Sequence, residues 1–438
     1  MYCRHLTLTN FRNYVHLDLS LSPRLTIFWG DNGQGKSNLI EALYVLATTK
    51  SYRTAAEREM VNWHVVGDPV FARVVAEVER QSSPTKLEVI LAEAPGTGSA
   101  PPSLVTTSSV TTSSVHTSGA TRRAAGPLLQ TPAGSIRRRV RVNGQVKQPL
   151  ELLGQLNVVL FSPEDVELVA GPAALRRRYL DITLCQIDHV YARTARRYER
   201  VLQQRNALLR EGRERPVRAD QFEYWDVQLV ELGAAMIIAR LRAVHFLNEA
   251  IARIYPRLAG EGSGLRAEYR TTVPIEVSLA EALCRPDGVG GASGEAGAAV
   301  TAVREGFSAQ LATGRGRERQ QAVTLVGPHR DDAGFFAADV DLRVYGSRGQ
   351  QRAAALCLKL AEVELMQRYT GERPVLLLDD VMSELDPRRR RFLQMMVQEQ
   401  DQVLLTATDL AFFDADFLRG ADVYQVVAGA LSGAPNGL

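Results

Sequence analysis

One short segment near the amino terminus constrains this chain more than any other. The apolar run 25–29 leads straight into a loop that carries three glycines, a lysine and a serine, and a helical pattern begins just after it. A strand, a Gly-x-x-x-x-Gly-Lys-Ser loop and a helix in this order form a phosphate-binding loop, in which backbone N–H groups and the helix dipole face phosphate oxygens. The loop residues are Gly30, Asp31, Asn32, Gly33, Gln34, Gly35, Lys36 and Ser37.

This loop predicts a site for ATP with Mg²⁺. All eight residues are expected to surround the phosphates. Lys36 is expected to reach the β- and γ-phosphates as a catalytic residue, and the Ser37 hydroxyl is expected to bind the metal ion.

A second element near the carboxyl terminus supports the same chemistry. The apolar run 375–378 ends in two carboxylates, and the segment Ser-Glu-Leu-Asp follows at 383–386. A carboxylate at the end of a buried strand can hold Mg²⁺, and its neighbour can orient or deprotonate the attacking water. We assign Asp379 to the metal and Asp380 to the water.

A third element lies just before a helical pattern at 353–368. Ser347, Gly349 and Gln350 resemble the Ser-x-Gly-Gln signature motif of ABC ATPases, in which one subunit caps the γ-phosphate held by another. The resemblance assigns catalytic and nucleotide-binding roles to Ser347, and nucleotide-binding roles to Gly349 and Gln350. The expected fold class is α/β: an ABC-type P-loop ATPase head with mixed sheets and an inserted helical lid domain.

The spacing of these elements predicts the domain organisation. Asp379 follows Ser37 by 342 residues, more than a transporter cassette usually needs. We expect a head formed by 1–160 and 320–438 and a lid formed by 161–319. Apolar periodicity predicts an antiparallel helical hairpin from Pro172 to about Pro256, with arms of roughly 35 residues.

Further patterns predict the shorter elements and the loops. Alternating residues indicate two strands within 6–21 and an antiparallel pair at 70–80 and 86–92. Residues 94–134 are rich in Ser, Thr and Pro and repeat Thr-Thr-Ser-Ser-Val, which predicts a disordered insertion. Residues 288–299 are expected to form a loose Gly/Ala loop.

Composition excludes several classes of protein. The sequence lacks an apolar run long enough to cross a membrane, and its start lacks the pattern of a secretion signal, so we expect a cytoplasmic protein with no membrane partner. The four cysteines are far apart and favour neither a zinc site nor disulfides. The net charge of +3 places any DNA contact on local patches.

Several longer segments form a specific combination: LFSPED at 160–165, Gly171, RRRYLD at 176–181, YERVLQQRNALLR at 198–210, GPHRDD at 327–332 and LLLDDVMSELD at 376–386. Together they resemble the RecF family of bacterial recombination mediators. The resemblance implies an ATP-dependent homodimer that clamps single-stranded and gapped or junction DNA, works with RecR and RecO in recombinase loading, and supports the SOS response. It also implies slow, DNA-stimulated ATP hydrolysis.

Three positions depart from the patterns of these families. Pro172 stands one position earlier than the RecF pattern has it. Thr408 occupies the place of the ABC switch histidine, and Asp380 occupies the place of the usual glutamate. The last two changes predict weak activation of the γ-phosphate, and hence hydrolysis that acts as a timer.

Clusters of arginine are candidate DNA contacts, although each cluster alone is more often a solvated helix face. The resemblance supports DNA binding in general and not these residues individually. The clusters are 137–139 with Arg141, 176–178, the group Arg193, Arg196, Arg197 and Arg200, and 388–391.

Two other functions stay open at this point. A transporter ATPase subunit would need a membrane partner and a switch histidine, and the long insertion argues against it. A non-enzymatic switch, in which ATP binding alone gates a scaffold, is compatible with Thr408.

Overall fold

The computed structural model describes residues 1–64, 70–93, 136–215, 217–285 and 295–433. The predicted insertion at 94–134 lies outside the described residues, as does the part 288–294 of the predicted Gly/Ala loop. The rest of that loop was predicted wrongly, because residues 295–299 form the first turns of a helix.

An antiparallel sheet forms one layer of the molecule, in the strand order β2-β1-β4-β5-β6-β7. Side chains alternate between a buried and a more exposed face, and this alternation confirms the strands predicted within 6–21 and the pair at 70–80 and 86–92. The strands are β1 (Tyr2–Phe11), β2 (Tyr14–Ser20), β4 (Phe71–Glu79), β5 (Thr85–Glu93), β6 (Ile136–Val142) and β7 (Gln145–Lys147).

A mostly parallel sheet forms a second layer, in the order β15-β14-β3-β13-β12-β8. Its strands β12 and β13 are buried along their whole length and mostly apolar, because helices or sheet cover both faces. Parallel strands end at the same edge, so the residues that follow β3, β13 and β12 meet there. The strands are β3 (Arg24–Trp29), β8 (Val158–Phe161), β12 (Val375–Asp379), β13 (Gln402–Ala407), β14 (Ala421–Val427) and β15 (Ala430–Ser432).

Helix α1 (Lys36–Thr48) packs between the two sheets. Its residues Leu39, Ile40 and Leu43 are fully buried among side chains from both layers. Since α1 begins at the phosphate-binding loop, this packing fixes the position of the loop on the edge where β3 ends.

Helix α9 (Arg348–Thr370) covers the other face of the parallel sheet. It begins five residues before the predicted start at 353, because Ser347 and Gln350 form a reciprocal capping box that supports an additional first turn. The shorter helices are α2 (Val166–Ala170), α6 (Val277–Cys284), α8 (Leu342–Tyr345), α10 (Pro387–Gln398) and α11 (Ala415–Arg419).

A helical insertion with a small three-stranded sheet completes the fold. The predicted hairpin is correct in kind but wrong in its arm lengths, since α4 has 26 residues and α5 has 41. The Asp188 carboxylate accepts hydrogen bonds from two backbone N–H groups and starts α4 as a separate helix after α3. The elements are α3 (Ala173–Ile187), α4 (His189–Glu214), α5 (Ala219–Ala259), α7 (Glu295–Gln321), β9 (Leu265–Arg270), β10 (Asp332–Ala337) and β11 (Val340–Asp341).

The insertion shares its apolar core with the parallel sheet. A single cluster of buried side chains runs from Leu229 and Ile251 in α5, through α9, to Leu376 and Leu405 in the sheet. The mixed α/β architecture is as predicted, whereas the division at 160 and 320 stays a prediction. Within the described part of the chain, no helix is long and apolar enough to cross a membrane.

His329 lies in a polar layer between the insertion and the loop before β10. The Tyr198 hydroxyl lies 2.7 Å from His329 Nδ1, and Nε2 lies 3.1 Å from the carbonyl of Thr324. Since a carbonyl only accepts, Nε2 carries the proton and Nδ1 accepts from Tyr198. Burial lowers the pKa of His329 from 6.5 to about 4; the hydrogen bond to Thr324 opposes this shift, and three neighbouring arginines add to it.

A histidine with a lowered pKa makes stability sensitive to acid. Its stabilising contribution is present above pH 6.5 and is lost as the pH falls through about 4, because the unfolded chain then binds the proton more readily. We expect His329→Gln to flatten the fall of the thermal midpoint between pH 7.5 and pH 5. His245→Gln is the control, since that side chain is 53% exposed. Equal slopes for wild type and His329→Gln would contradict this.

Candidate nucleotide site

The phosphate-binding loop closes tightly between β3 and α1. The Gly30 N–H donates to the carbonyl of Ala407 (3.3 Å), and Lys36 Nζ donates to the carbonyls of Gly30 (2.6 Å) and Asp31 (2.7 Å). Lys36 is only 6% exposed. Burial lowers the pKa of Lys36, and the carboxylates of Asp380, Asp379 and Asp31 oppose this shift. The lysine therefore lies inside the loop, close to the acidic pair.

The structure brings the two predicted metal ligands together. Ser37 Oγ donates to Asp379 Oδ1 at 2.7 Å, although the residues are 342 positions apart. Thr406 Oγ1, near the end of β13, donates to the same oxygen at 2.9 Å. The Tyr52 hydroxyl donates to the other oxygen, Oδ2, at 2.7 Å. Asp379 is 8% exposed, so its charge is supported by hydroxyl donors and not by water alone.

Asp380 has an unusual backbone and an unpaired oxygen. Its φ of 51° is left-handed, a conformation that is costly for a residue other than glycine and that clusters at functional sites. Its N–H donates to Thr406 Oγ1 (2.9 Å). Among the described residues, its buried Oδ1 has no hydrogen-bond partner. Burial raises the pKa of Asp380, Lys36 opposes the shift and Asp379 adds to it. A buried acceptor of this kind is suited to a water or a hydrated cation.

Several residues that the sequence did not reveal complete the loop. Asn13, in the turn between β1 and β2, donates through Nδ2 to the carbonyl of Gln34 (2.9 Å) and accepts from Asn38 Nδ2 (2.7 Å). The Gln34 side chain accepts from the N–H of Ala428 (2.7 Å). Tyr52 and Thr406 were missed as well. Only Asn13 had a possible signal, its place in a turn between two predicted strands.

The signature residues lie elsewhere on the chain. Ser347 is exposed at the start of α9, where its Oγ accepts from the N–H of Gln350 (3.2 Å) and Gln350 Oε1 accepts from the N–H of Ser347 (2.9 Å). Gly349 lies in the first turn beside Arg389. No hydrogen bond or ion pair within the described ranges joins Ser347 to the phosphate-binding loop. The exposed side chains of Val344 and Tyr345 adjoin it.

Thr408, in the place of the switch histidine, follows β13 and is half-buried. The preceding residue, Ala407, accepts the hydrogen bond from Gly30 described above. Thr408 therefore lies at the edge of the site, and its correspondence to the switch histidine stays a prediction.

The basic clusters differ in exposure. The prediction of Arg176 as a DNA contact is wrong, because the residue is 2% exposed and pairs with Asp332 at 2.7 Å. Arg177 and Arg178 donate to the carbonyls of Asp331 and Ser51. The residues whose side chains stay exposed are Arg137, Arg139, Arg193, Arg196, Arg197, Arg200, Arg388 and Arg391.

Comparison with known proteins places this architecture in a family. Residues 1–90 match the family model described as an AAA ATPase domain. The DNA replication and repair protein RecF of Chloroflexus aurantiacus is 41% identical over 437 residues, which cover 98% of this chain and 99% of the relative. RecF of Halalkalibacterium halodurans is 34% identical, with 98% of this chain and 99% of the relative covered. This chain belongs to the RecF family.

Solved structures agree with the RecF family assignment. A structure of the recombination mediator protein RecF-ATP in the RecFOR pathway is 27% identical, covers 99% of this chain and 97% of its own, and has a TM-score of 0.76. An Smc head bound to the winged-helix domain of ScpA, at 13% identity and a TM-score of 0.50, shares the fold. The predicted fold class, an ABC-type ATPase head with an inserted helical region, is confirmed.

Gly35 tests how tightly the loop is fixed. Its φ is +113°, and an added Cβ would lie 2.4 Å from Asn13 Nδ2. Gly33 also has a positive φ of +81°, but an added Cβ would meet nothing within 4 Å. Alanine at either position costs about 1–2 kcal/mol of backbone strain. We expect Gly35→Ala to lower the thermal midpoint further than Gly33→Ala, because only Gly35→Ala also forces Asn13 away from Gln34. Equal midpoints would contradict the contact with Asn13.

Proposed function

We propose that this chain is an ATP-dependent DNA-binding protein of recombinational repair and replication-fork recovery. In this proposal an ATP-bound homodimer clamps DNA near gaps and slow hydrolysis releases it. The main support for the proposal is that the candidate catalytic residues lie in two separate places on the chain. Ser37, Asp379 and Asp380 lie together in one chain, whereas Ser347 is exposed and, in the part of the chain that the structure describes, makes no hydrogen bond to that site.

The loop residues would bind the triphosphate of ATP. The backbone N–H groups of 30–37 and the N-terminal end of α1 provide donors for phosphate oxygens. Lys36 would exchange its bonds to the carbonyls of Gly30 and Asp31 for the β- and γ-phosphates. The related RecF-ATP structure supports this ligand for the present chain.

Mg²⁺ fits the oxygens at this site. Ser37 Oγ and Asp379 Oδ1 are 2.7 Å apart, and the unpaired Oδ1 of Asp380 follows directly. Hard oxygen donors of this kind, few in number, are typical of Mg²⁺ sites that keep several waters. Ser37 and Asp379 would hold the ion, which would neutralise charge on the phosphates. Asp380 would orient the attacking water. Its raised pKa makes the carboxylate a stronger base for the proton of that water.

A second copy of the chain would complete the site. Ser347 and Gly349 present a hydroxyl and backbone N–H groups at the N-terminus of a 23-residue helix, which is suited to the γ-phosphate of a nucleotide bound by the partner. Gln350 would keep Ser347 in its capping conformation. Dimerisation would then require ATP, since the triphosphate is what both surfaces contact.

DNA binding is supported by family membership and by the exposed arginines. Arg196 and Arg200 lie one turn apart on the exposed face of α4, close enough to follow a phosphate backbone. RecR and RecO are the proposed partners, because the related structure is described as a mediator in the RecFOR pathway. Support of the SOS response rests on the resemblance alone.

Thr408 favours a second candidate, a switch in which ATP binding alone gates the dimer. A hydroxyl cannot supply the cation that a histidine can. Phosphate release with and without gapped DNA separates the two functions: a measurable rate that rises with DNA, but stays below about 10 s⁻¹, indicates the slow ATPase. No release above background indicates the switch.

The whole proposal is tested by sizing the protein with ATP, with ADP and without nucleotide, in the presence of a gapped duplex. We expect a dimer on DNA only with ATP. A monomer under all three conditions, with equal DNA binding in each, would exclude the clamp.

Ser347→Arg should separate dimerisation from nucleotide binding. The bulky cation would block the approach to a partner's γ-phosphate, while the chain's own loop stays intact, so we expect ATP-dependent dimers to disappear and the Kd for ATP to stay within about threefold. Light scattering and equilibrium binding measure the two quantities. Ser308→Arg, on the exposed face of α7, makes the same chemical change as a control. Dimers that persist in Ser347→Arg would count against the shared site.

A further inference from the structure

We propose that Tyr52 is a positioning residue for the metal site. Its hydroxyl holds the carboxylate of Asp379 in the orientation that directs the other carboxylate oxygen to Ser37. The proposal rests on the proposed function, since it assumes that Ser37 and Asp379 bind Mg²⁺ with ATP. Neither the phosphate-loop motif nor the acidic strand end includes Tyr52.

The two oxygens of Asp379 are held from different directions. Oδ2 accepts from the Tyr52 hydroxyl at 2.7 Å, and Oδ1 accepts from Ser37 (2.7 Å) and Thr406 (2.9 Å). Rotation of the carboxylate about its terminal bond would break the contacts at both oxygens. Ser37 and Thr406 alone bind one oxygen and leave the other free to turn, so Tyr52 supplies the second point of attachment.

The Tyr52 ring is itself fixed. It packs edge-on against Tyr44 of α1, with the ring centroids 5.3 Å apart and the planes at 78°. The preceding residue, Ser51, is 3% exposed and its hydroxyl donates to Glu41 Oε1 at 2.5 Å. The Ser51 carbonyl accepts from Arg178 of α3 at 3.1 Å. The hydroxyl of Tyr52 is therefore delivered to Asp379 by a segment that is anchored on both α1 and the helical insertion.

This arrangement has a specific chemical consequence. While Ser37 donates its proton to Asp379 Oδ1, the lone pairs of its oxygen stay available to a metal ion. If the carboxylate turns, Ser37 loses this acceptor and its proton can point towards the ion instead. Residues that orient metal ligands in this way typically change metal affinity by 10–100-fold when they are removed. The Tyr52 hydroxyl also lies 3.4 Å from the carbonyl of Ser37. Because a carbonyl cannot donate to a phosphate, affinity for ATP without metal should change little when this hydroxyl is removed.

Tyr52→Phe isolates the hydroxyl, because phenylalanine keeps the ring that packs on Tyr44. The experiment measures the Kd of fluorescently labelled ATP for the full-length protein, first in EDTA and then across a Mg²⁺ titration. We expect the Kd in EDTA to stay within about twofold of wild type and the half-saturating Mg²⁺ concentration to rise by about tenfold. Tyr44→Phe removes a hydroxyl from the other ring of the pair and should change neither quantity.

A double variant tests whether Tyr52 acts through Asp379. In an Asp379→Asn background, Tyr52→Phe should cause no additional shift of the Mg²⁺ midpoint, because residues that act through one contact are not additive. A Mg²⁺ midpoint within twofold of wild type in Tyr52→Phe, or an equal loss of affinity in EDTA and Mg²⁺, would overturn the proposal and leave Tyr52 as a packing residue. Wild-type binding that does not respond to Mg²⁺ would instead refute the proposed metal site itself.

Discussion

The hydrogen bond between Ser37 and Asp379 joins two parts of the chain that are 342 residues apart, and the site depends on it. It forms because β3, β13 and β12 are adjacent and parallel, so their carboxyl ends meet at one edge of the sheet. Thr406, at the end of the middle strand, donates to Asp379 and accepts from the N–H of Asp380, so it ties both acidic residues to β13. The buried packing of α1 between the two sheets then holds the loop against that edge. Without this register, Lys36 and the carboxylate of Asp380 would not lie close to each other.

Charges of both signs lie close together at this edge of the sheet. Lys36 lies among the carboxylates of Asp31, Asp379 and Asp380, so burial and charge oppose each other in its pKa. A triphosphate with its metal ion would bring both signs of charge and could satisfy the lysine and the acidic pair together.

The nucleotide loop and the acidic strand end were predictable because each is a local pattern with its flanking strand or helix. Tyr52 and Asn13 were not, since their roles arise only where distant segments pack together and no spacing marks them. Arg176 was assigned wrongly for the related reason that a run of arginines does not reveal which member is buried against Asp332. The predicted starts of helices were wrong where a single capping side chain, such as Asp188 or Ser347, determines the first turn.

The apolar cluster that runs from α5 through α9 into the parallel sheet limits how this molecule can move. A helical region with a core of its own could swing on a hinge, but this one would have to uncover buried leucines and isoleucines to do so. Small sliding displacements between packed helices are the motions that such an interior permits. In the proposed dimer, a nucleotide-dependent change would consequently alter mainly the distance and angle between the two protomers. Excision of the helical region as a fragment would expose a large apolar surface on both pieces, and each piece would tend to aggregate.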